Sequence, residues 1–229
     1  MVASSSFDAM SNLYPNHETF PSLGAVSGIL NTFLQRVPGL DVRTDRETAM
    51  NRLAKIQRQA LDEIGFSACP LVRAEQVHSN QVALVSTVPS KPVPGCDALI
   101  TTTPNLALGI HVADCAAVYF VDRKKRGIAL AHSGRKGTEL DIASVTLEAL
   151  LKTIGGKASD IIVQISPCIR PPNYEVDFAA EIQAQLKKAG VLDVHDCGVC
   201  THANPDLYYS YRREQGRTGR HLAALAMID

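Results

Sequence analysis

The chain lacks any imbalance of charge. Its 229 residues carry 23 basic and 23 acidic side chains, so it presents no electrostatic footprint for nucleic acid or an anionic membrane, and neither is expected as a partner. A long apolar run is missing too, since none approaches the ~18 residues of a membrane span. The opening stretch, Met1-Val-Ala-Ser-Ser-Ser-Phe-Asp8, has neither the basic nor the apolar region of a signal peptide. A cytoplasmic address with reduced thiols is the expectation. Cys69, Cys96, Cys115, Cys168, Cys197 and Cys200 then read as core residues, ligands or nucleophiles in place of disulfides. No linker, internal repeat or low-complexity tract interrupts the sequence, which predicts one domain. Oligomeric state leaves no mark in the sequence.

What is present is a series of short apolar runs broken by three helical patterns. Residues 1–22 are polar, contain Pro15 and Pro21, and are expected to form a loosely held arm ahead of a domain at 23–229. Ile29 to Arg36 reads as a first strand. Thr44 and Glu47 form a capping box ahead of a helix with Ala49, Leu53, Ile56, Ala60 and Ile64 at helical spacing, stopped by Gly65. Pro70–Val77 and Gln81–Val88 read as a hairpin with His78 at its tip. Thr138 and Asp141 are candidate caps for a second helix ending at Gly155-Gly156, and Asp177 caps a third that ends at Gly190. Ile161–Ile165 is wholly apolar, the mark of a strand covered on both faces. Val191–Cys200 reads as a further strand. Many strands and three helices that do not strictly alternate point to a mixed α/β fold with helices outside the sheets.

The segment from Leu106 to His132 organises the rest. Its first apolar run ends in His111-Val-Ala-Asp-Cys115, and its second carries His132 to a strand end. Together with His78 this gives two imidazoles and a thiol at strand ends, donor types that zinc takes, and three protein ligands with an open position mark catalytic rather than structural zinc. The separations, 37 and 17 residues, rule out a local finger and require the fold to bring the donors together. Water on such an ion has its pKa lowered towards neutrality, and Asp114, beside the thiol, is placed to exchange that proton. The same residues also fit a buried thiol and two hydrogen-bonded histidines without metal.

Two further segments attract attention. His195-Asp-Cys-Gly-Val-Cys-Thr-His202 holds a C-x2-C pair flanked by histidines, a possible structural zinc site, although on a strand Cys197 and Cys200 face opposite ways. Ser133-Gly-Arg-Lys-Gly-Thr138 is a glycine-rich basic turn able to offer N–H groups and two cations to an anion, yet it lacks P-loop spacing. Tyr211-Arg-Arg213 and Arg220 add cations near the C-terminus.

Taken in order, Gln76-Val-His78, Asp97-Ala-Leu-Ile100, Ala113-Asp-Cys115 and Ala131-His-Ser-Gly-Arg-Lys-Gly-Thr138 resemble the laccase-domain proteins. So do Ser166-Pro-Cys-Ile169 with Tyr174-Glu-Val176, and Cys200-Thr201 with Tyr209-Ser-Tyr-Arg-Arg213 and Thr218-Gly-Arg220. That family was long labelled multicopper polyphenol oxidase and is now described as purine nucleoside phosphorylase with adenosine deaminase activity. The resemblance implies a single-domain α/β/β/α architecture with mixed sheets sandwiched by helices, and zinc held by His78, Cys115 and His132. It implies purine nucleoside and phosphate as substrates: phosphorolysis of adenosine, inosine and methylthioadenosine, and deamination of adenosine. Asp114, Cys115 and His132 are then the expected catalytic residues, with Arg36, Gln76, Arg135 and Lys136 expected to contact substrate or phosphate. This chain departs from the family's Gly-Trp-Arg-Gly turn, having Gly134-Arg-Lys-Gly137. A metal-free hydrolase with Cys115 as nucleophile and His132 as base stands as an alternative. A copper polyphenol oxidase is another, for which seven histidines with no His-x-His pair are few.

Overall fold

The computed structural model describes residues 14–229. Two sheets lie face to face. The first contains β1 (His17–Glu18), β2 (Ile29–Leu34), β3 (Leu71–Arg73), β6 (Ala107–Val112) and β11 (His221–Met227), in the order β1-β2-β11-β6-β3. The second contains β4 (Val82–Leu84), β5 (Ala98–Thr101), β7 (Ala116–Asp122), β8 (Ile128–Ser133), β9 (Ile161–Ile165) and β10 (Asp193–Asp196), in the order β10-β9-β7-β8-β5-β4. Both are mixed: β3 runs parallel to β6, β4 to β5 and β10 to β9, and the remaining pairs are antiparallel.

Side-chain alternation assigns each strand residue to one of two layers. Phe33, Leu108, Ile110, Tyr119, Leu130, Ala223 and Leu225 fill the space between the sheets. The outer face of the second sheet, with Ile100, Val118, Phe120 and Val163, is covered by α4 (Ile142–Ile154) and α5 (Phe178–Lys188). Leu34, Leu222 and Ala224 on the outer face of the first pack against Ala60 and Leu61 of α2 (Arg46–Leu61). The result is the α/β/β/α single domain. None of the helices among the described residues is long and apolar enough to cross a membrane.

Several local expectations are corrected. Residues 1–13 of the expected arm lie outside the described residues. The remainder is tied down: Glu18 pairs with Phe33 of β2, and the buried Phe20 donates its N–H to Asn31 Oδ1 at 2.7 Å, just ahead of the single-turn α1 (Pro21–Gly24). Asp45, one residue past Thr44, caps α2 by accepting from Thr48 N at 2.9 Å, a carboxylate being as good a cap as a hydroxyl. Gly65 does end the helical run, at φ +103°. The second predicted helix forms as α4 and ends at Gly155, but without a side-chain cap from Asp141; the glycine-rich turn ahead of it is itself a short helix, α3 (Arg135–Glu139), with Thr138 folded back onto Ser133 and Gly134. Asp177 caps α5 through Ala180 N as expected.

The hairpin over 70–88 does not form. β3 and β4 belong to different sheets, each paired in parallel with a different neighbour, so His78 lies on a passage from one sheet to the other. Ala113 to Cys115 makes a second such passage between β6 and β7. Short strands with apolar residues on both faces carry no signal of which sheet they join.

Candidate metal centre

The two passages place His78 and Cys115 beside the end of β8, which carries His132. One ligand atom from each of the three lies within 4.8 Å of the other two, and the imidazoles meet edge to face at 4.8 Å between centroids. They sit in a pocket of about 810 Å³, a size that admits a nucleoside-sized molecule. His132 is buried, Cys115 half-buried and His78 exposed, so the donors run from the interior to the cavity.

Asp97, fully buried at the head of β5, holds this arrangement. Its Oδ1 accepts from His132 Nδ1 and from the His78 main-chain N–H, both at 2.9 Å. Oδ2 accepts from Ser79 N at 2.7 Å, Ser79 Oγ at 2.8 Å and Val77 N at 3.2 Å. One carboxylate thereby orients the His132 ring, with Nε2 on the side away from Asp97, and folds the loop that bears His78 in a left-handed conformation (φ +60°). Carboxylate–histidine pairs of this kind orient metal ligands. Burial opposes ionisation of Asp97, but the hydrogen bonds from His132 and Ser79 outweigh it and hold the carboxyl well below its usual range.

Cys115 and His132 bias one another. Burial alone would raise the thiol and lower the imidazole. The opposite charge each places on the other, with hydrogen bonds from both histidines to sulfur and from His132 to Asp97, reverses both directions. A thiolate beside an imidazolium is the result, and a thiolate is the form that binds metal. Gly134 leaves room for it: a Cβ there would stand 2.5 Å from Cys115 Sγ. The donor set, the anchored Asp97 carboxylate and the cavity above fit a metal ion held by His78, Cys115 and His132.

The other expected residues distribute unevenly. Asp114 (φ +78°) lines the pocket, and its carboxylate accepts from Thr201 Oγ1 at 2.7 Å, Arg212 N at 2.7 Å and Ser210 Oγ at 3.0 Å. It fastens the C-terminal loops to the centre. Gln76 also lines the pocket, where its amide exchanges two bonds with the His111 main chain, at 2.6 and 2.9 Å. Arg135 stands at the pocket wall, but Lys136 does not line it and is exposed. Arg36 is absent from this site: it donates to Tyr208 O and Glu214 and lines a separate surface hollow. A guanidinium with a ready carboxylate partner in its own loop is satisfied there.

His195 to His202 forms no ligand group. Cys197 packs toward the inter-sheet core and Cys200 toward the helix side, while His195 pairs with Asp193 and His202 with Arg213. The strand itself stops at Asp196.

Sequence reasoning missed Asp97 as a positioning group and Arg46 as a lining residue. An acid heading an otherwise apolar strand must find partners when buried, which was the available sign for Asp97. Arg46 occupies the first position of α2, where a cation opposes the helix dipole; that local mismatch was its sign. Arg46, Arg212 and Arg220 line the pocket along with Tyr174, Phe178, Ile169 and Tyr211. Arg220 donates to the main-chain oxygens of Thr218 and Gly219 and lies over the Tyr211 ring, with its centre 5.7 Å from the centroid.

A layered α/β/β/α domain with a His/Cys/His centre on the floor of an arginine-lined cavity defines the class. The chain belongs to the family described as "Multi-copper polyphenol oxidoreductase laccase", whose profile matches residues 35–181 and 176–228. It is 32% identical over 196 residues to a purine nucleoside phosphorylase of Corynebacterium glutamicum, spanning 73% of this chain and 78% of that one. A purine nucleoside phosphorylase of Deinococcus radiodurans is 30% identical over 213 residues, 80% of each chain. The crystal structure of YlmD from Geobacillus stearothermophilus superposes with a TM-score of 0.77 at 25% identity, covering 92% of this chain and 94% of that one.

Proposed function

We propose that this chain is a zinc-dependent purine nucleoside phosphorylase, cleaving adenosine, inosine and methylthioadenosine with phosphate. The observation that carries the reading is the convergence of His78, Cys115 and His132 below a cavity with both aromatic and cationic walls, in a chain whose relatives bear that name. Two imidazoles and a thiolate suit zinc, and when bound the ion supplies Lewis acidity. Among the described residues there is a single cluster of this kind, and His111 and His221 are engaged in the core with Gln57 and with Leu34 and Tyr209. That distribution favours one zinc over a multi-copper assembly.

The remaining roles belong to the chain's own groups. Tyr174, Phe178 and Ile169 offer an apolar wall to the purine. Arg46 and Arg220, neither of which is paired with a carboxylate among the described residues, neutralise the phosphate whose oxygen attacks C1′ as the bond from C1′ to the base breaks. Asp97 orients two donors, and Asp114 holds the loop that carries Tyr211 and Arg212. Incubating metal-loaded protein with adenosine, with and without phosphate, tests this. Adenine and ribose 1-phosphate should appear only with phosphate; no base release in its presence would refute the proposal. Inosine formed in either condition would report the deamination.

A second reading draws on one contact. Cys115, His132 and Asp97 form a chain of thiol, imidazole and carboxylate, the arrangement of a cysteine nucleophile with an oriented base. His78 as a third donor has no task in such a hydrolase. Turnover that survives thorough chelation would favour it.

A further inference from the structure

The rim of the pocket carries a second pair of cations. Arg135, at the start of α3, and Arg212, in the loop fastened by Asp114, both reach Glu175: Arg135 Nη1 lies 3.5 Å from Oε1 and Arg212 Nη2 lies 3.4 Å from Oε2. All three side chains are about half exposed, at 51%, 54% and 51% for Arg135, Arg212 and Glu175. Loose, exposed pairs of this sort contribute little to stability, so the fold does not account for the charge gathered there. Below the bridge, Arg212 lies over the Tyr174 ring at 5.3 Å, and Tyr174 meets Phe178 edge-on at 6.0 Å. The cations therefore border the wall assigned to the purine.

Charge within the cavity is one-sided. Arg46, Arg135, Arg212 and Arg220 line it, and the one carboxylate among the lining residues, Asp114, already accepts three hydrogen bonds. A phosphate co-substrate engages two guanidiniums, Arg46 and Arg220 in the reading above. Arg135 and Arg212 remain: the two share Glu175, and Arg135 also donates from Nε to Glu139 Oε1 at 3.0 Å on its own helix, with Nη1 turned to the rim. A forked guanidinium pair is suited to a tetrahedral oxyanion, and the cavity of about 810 Å³ has room for a nucleotide.

We infer that Arg135 and Arg212 form a second anion locus that takes the 5′-phosphate of a purine nucleoside monophosphate, Glu175 being displaced as it binds. The inference rests on the purine nucleoside reading and narrows its substrate class. With an uncharged nucleoside Glu175 stays between the two arginines. With a nucleotide the phosphate takes its place, and the carboxylate turns to solvent.

Equilibrium dialysis of zinc-loaded protein against adenosine 5′-monophosphate and adenosine tests the locus without relying on turnover. The nucleotide should bind at least about tenfold more tightly. The double variant Arg135→Gln/Arg212→Gln should remove that preference, and Glu175→Gln should tighten nucleotide binding, because the competing carboxylate is gone. A merely structural bridge predicts the reverse for Glu175→Gln. Equal affinity for the two compounds would overturn the inference, as would weaker nucleotide binding in Glu175→Gln. A rim that takes free phosphate would instead show two phosphates bound per chain, falling to one in the double variant, with no nucleotide preference; that result also overturns it. Tight nucleotide binding with no base released from either compound would refute phosphorolysis and leave the locus standing.

Discussion

Asp97 Oδ1 and His132 Nδ1 meet at 2.9 Å with side chains 0% and 5% exposed, and the same oxygen accepts the main-chain N–H of His78. One acid thus sets two of the three donors, one through its ring and one through its backbone. The third donor, Cys115, answers to His132 electrostatically. The centre is less a list of three ligands than a single carboxylate with consequences.

Replacing that carboxylate should be costly on two counts. Asp97→Asn leaves the oriented imidazole without its anion and gives the Val77–Ser79 turn a weaker acceptor. Zinc affinity should fall by about 10- to 100-fold, and stability by about 3 to 5 kcal/mol, as for breaking a buried charged pair. Chelator competition measures the first and urea unfolding the second. Unchanged zinc affinity would show that His132 needs no orienting partner.

Gly134 offers a test of space without a change of charge. An alanine there places its Cβ 2.5 Å from Cys115 Sγ, so the sulfur or the start of α3 must move. Gly134→Ala should weaken zinc binding while reducing stability by only about 1 to 3 kcal/mol, the usual range for overpacking. Thiolate-to-metal charge-transfer absorption after cobalt substitution reads the sulfur's position directly. An unaltered spectrum would mean that the sulfur is not confined.

Acid should unfold the metal-free protein earlier than its carboxylates require. Burial holds both His111 and His221 down to about 3, against roughly 6.5 in an unfolded chain. Tyr209 N–H donates to His221 Nε2 at 2.9 Å and Nδ1 pairs with Leu34 O at 3.1 Å, an arrangement only the neutral ring satisfies. The unfolded state therefore binds more protons between these values. Stability is present above about pH 6.5 and is lost as pH falls toward 3, with a slope near pH 5 approaching two protons, or about 2.7 kcal/mol per pH unit. Urea midpoints between pH 4.5 and 7 give that slope, and His221→Gln should reduce it by about one proton. A flat profile would contradict the neutral-histidine assignment.

The layers were legible in the sequence because wholly apolar runs such as Ile161–Ile165 announce coverage on both faces, and because Asp177 and Gly65 mark helix limits by local chemistry. His78, Cys115 and His132 were legible because their donor types are uncommon at strand ends. What stayed hidden is what depends on distant pairing. Leu71–Arg73 and Val82–Leu84 look like the arms of a hairpin until each finds its own parallel partner. Arg36 looks like a phosphate ligand until Glu214 claims it. Residue spacing carries no record of such competition between partners far apart in the chain.

Two of the three donors ride on passages between the layers, one before β4 and one before β7. Any sliding of one sheet over the other distorts the donor triangle before it disturbs either sheet. Side chains such as Leu108 and Leu130, which are not among the three donors and fill the gap between the sheets, therefore act as shims. Changing their bulk should shift the His78–Cys115–His132 triangle from a distance, which makes the filling of the sandwich as much a part of the centre as the three donors themselves.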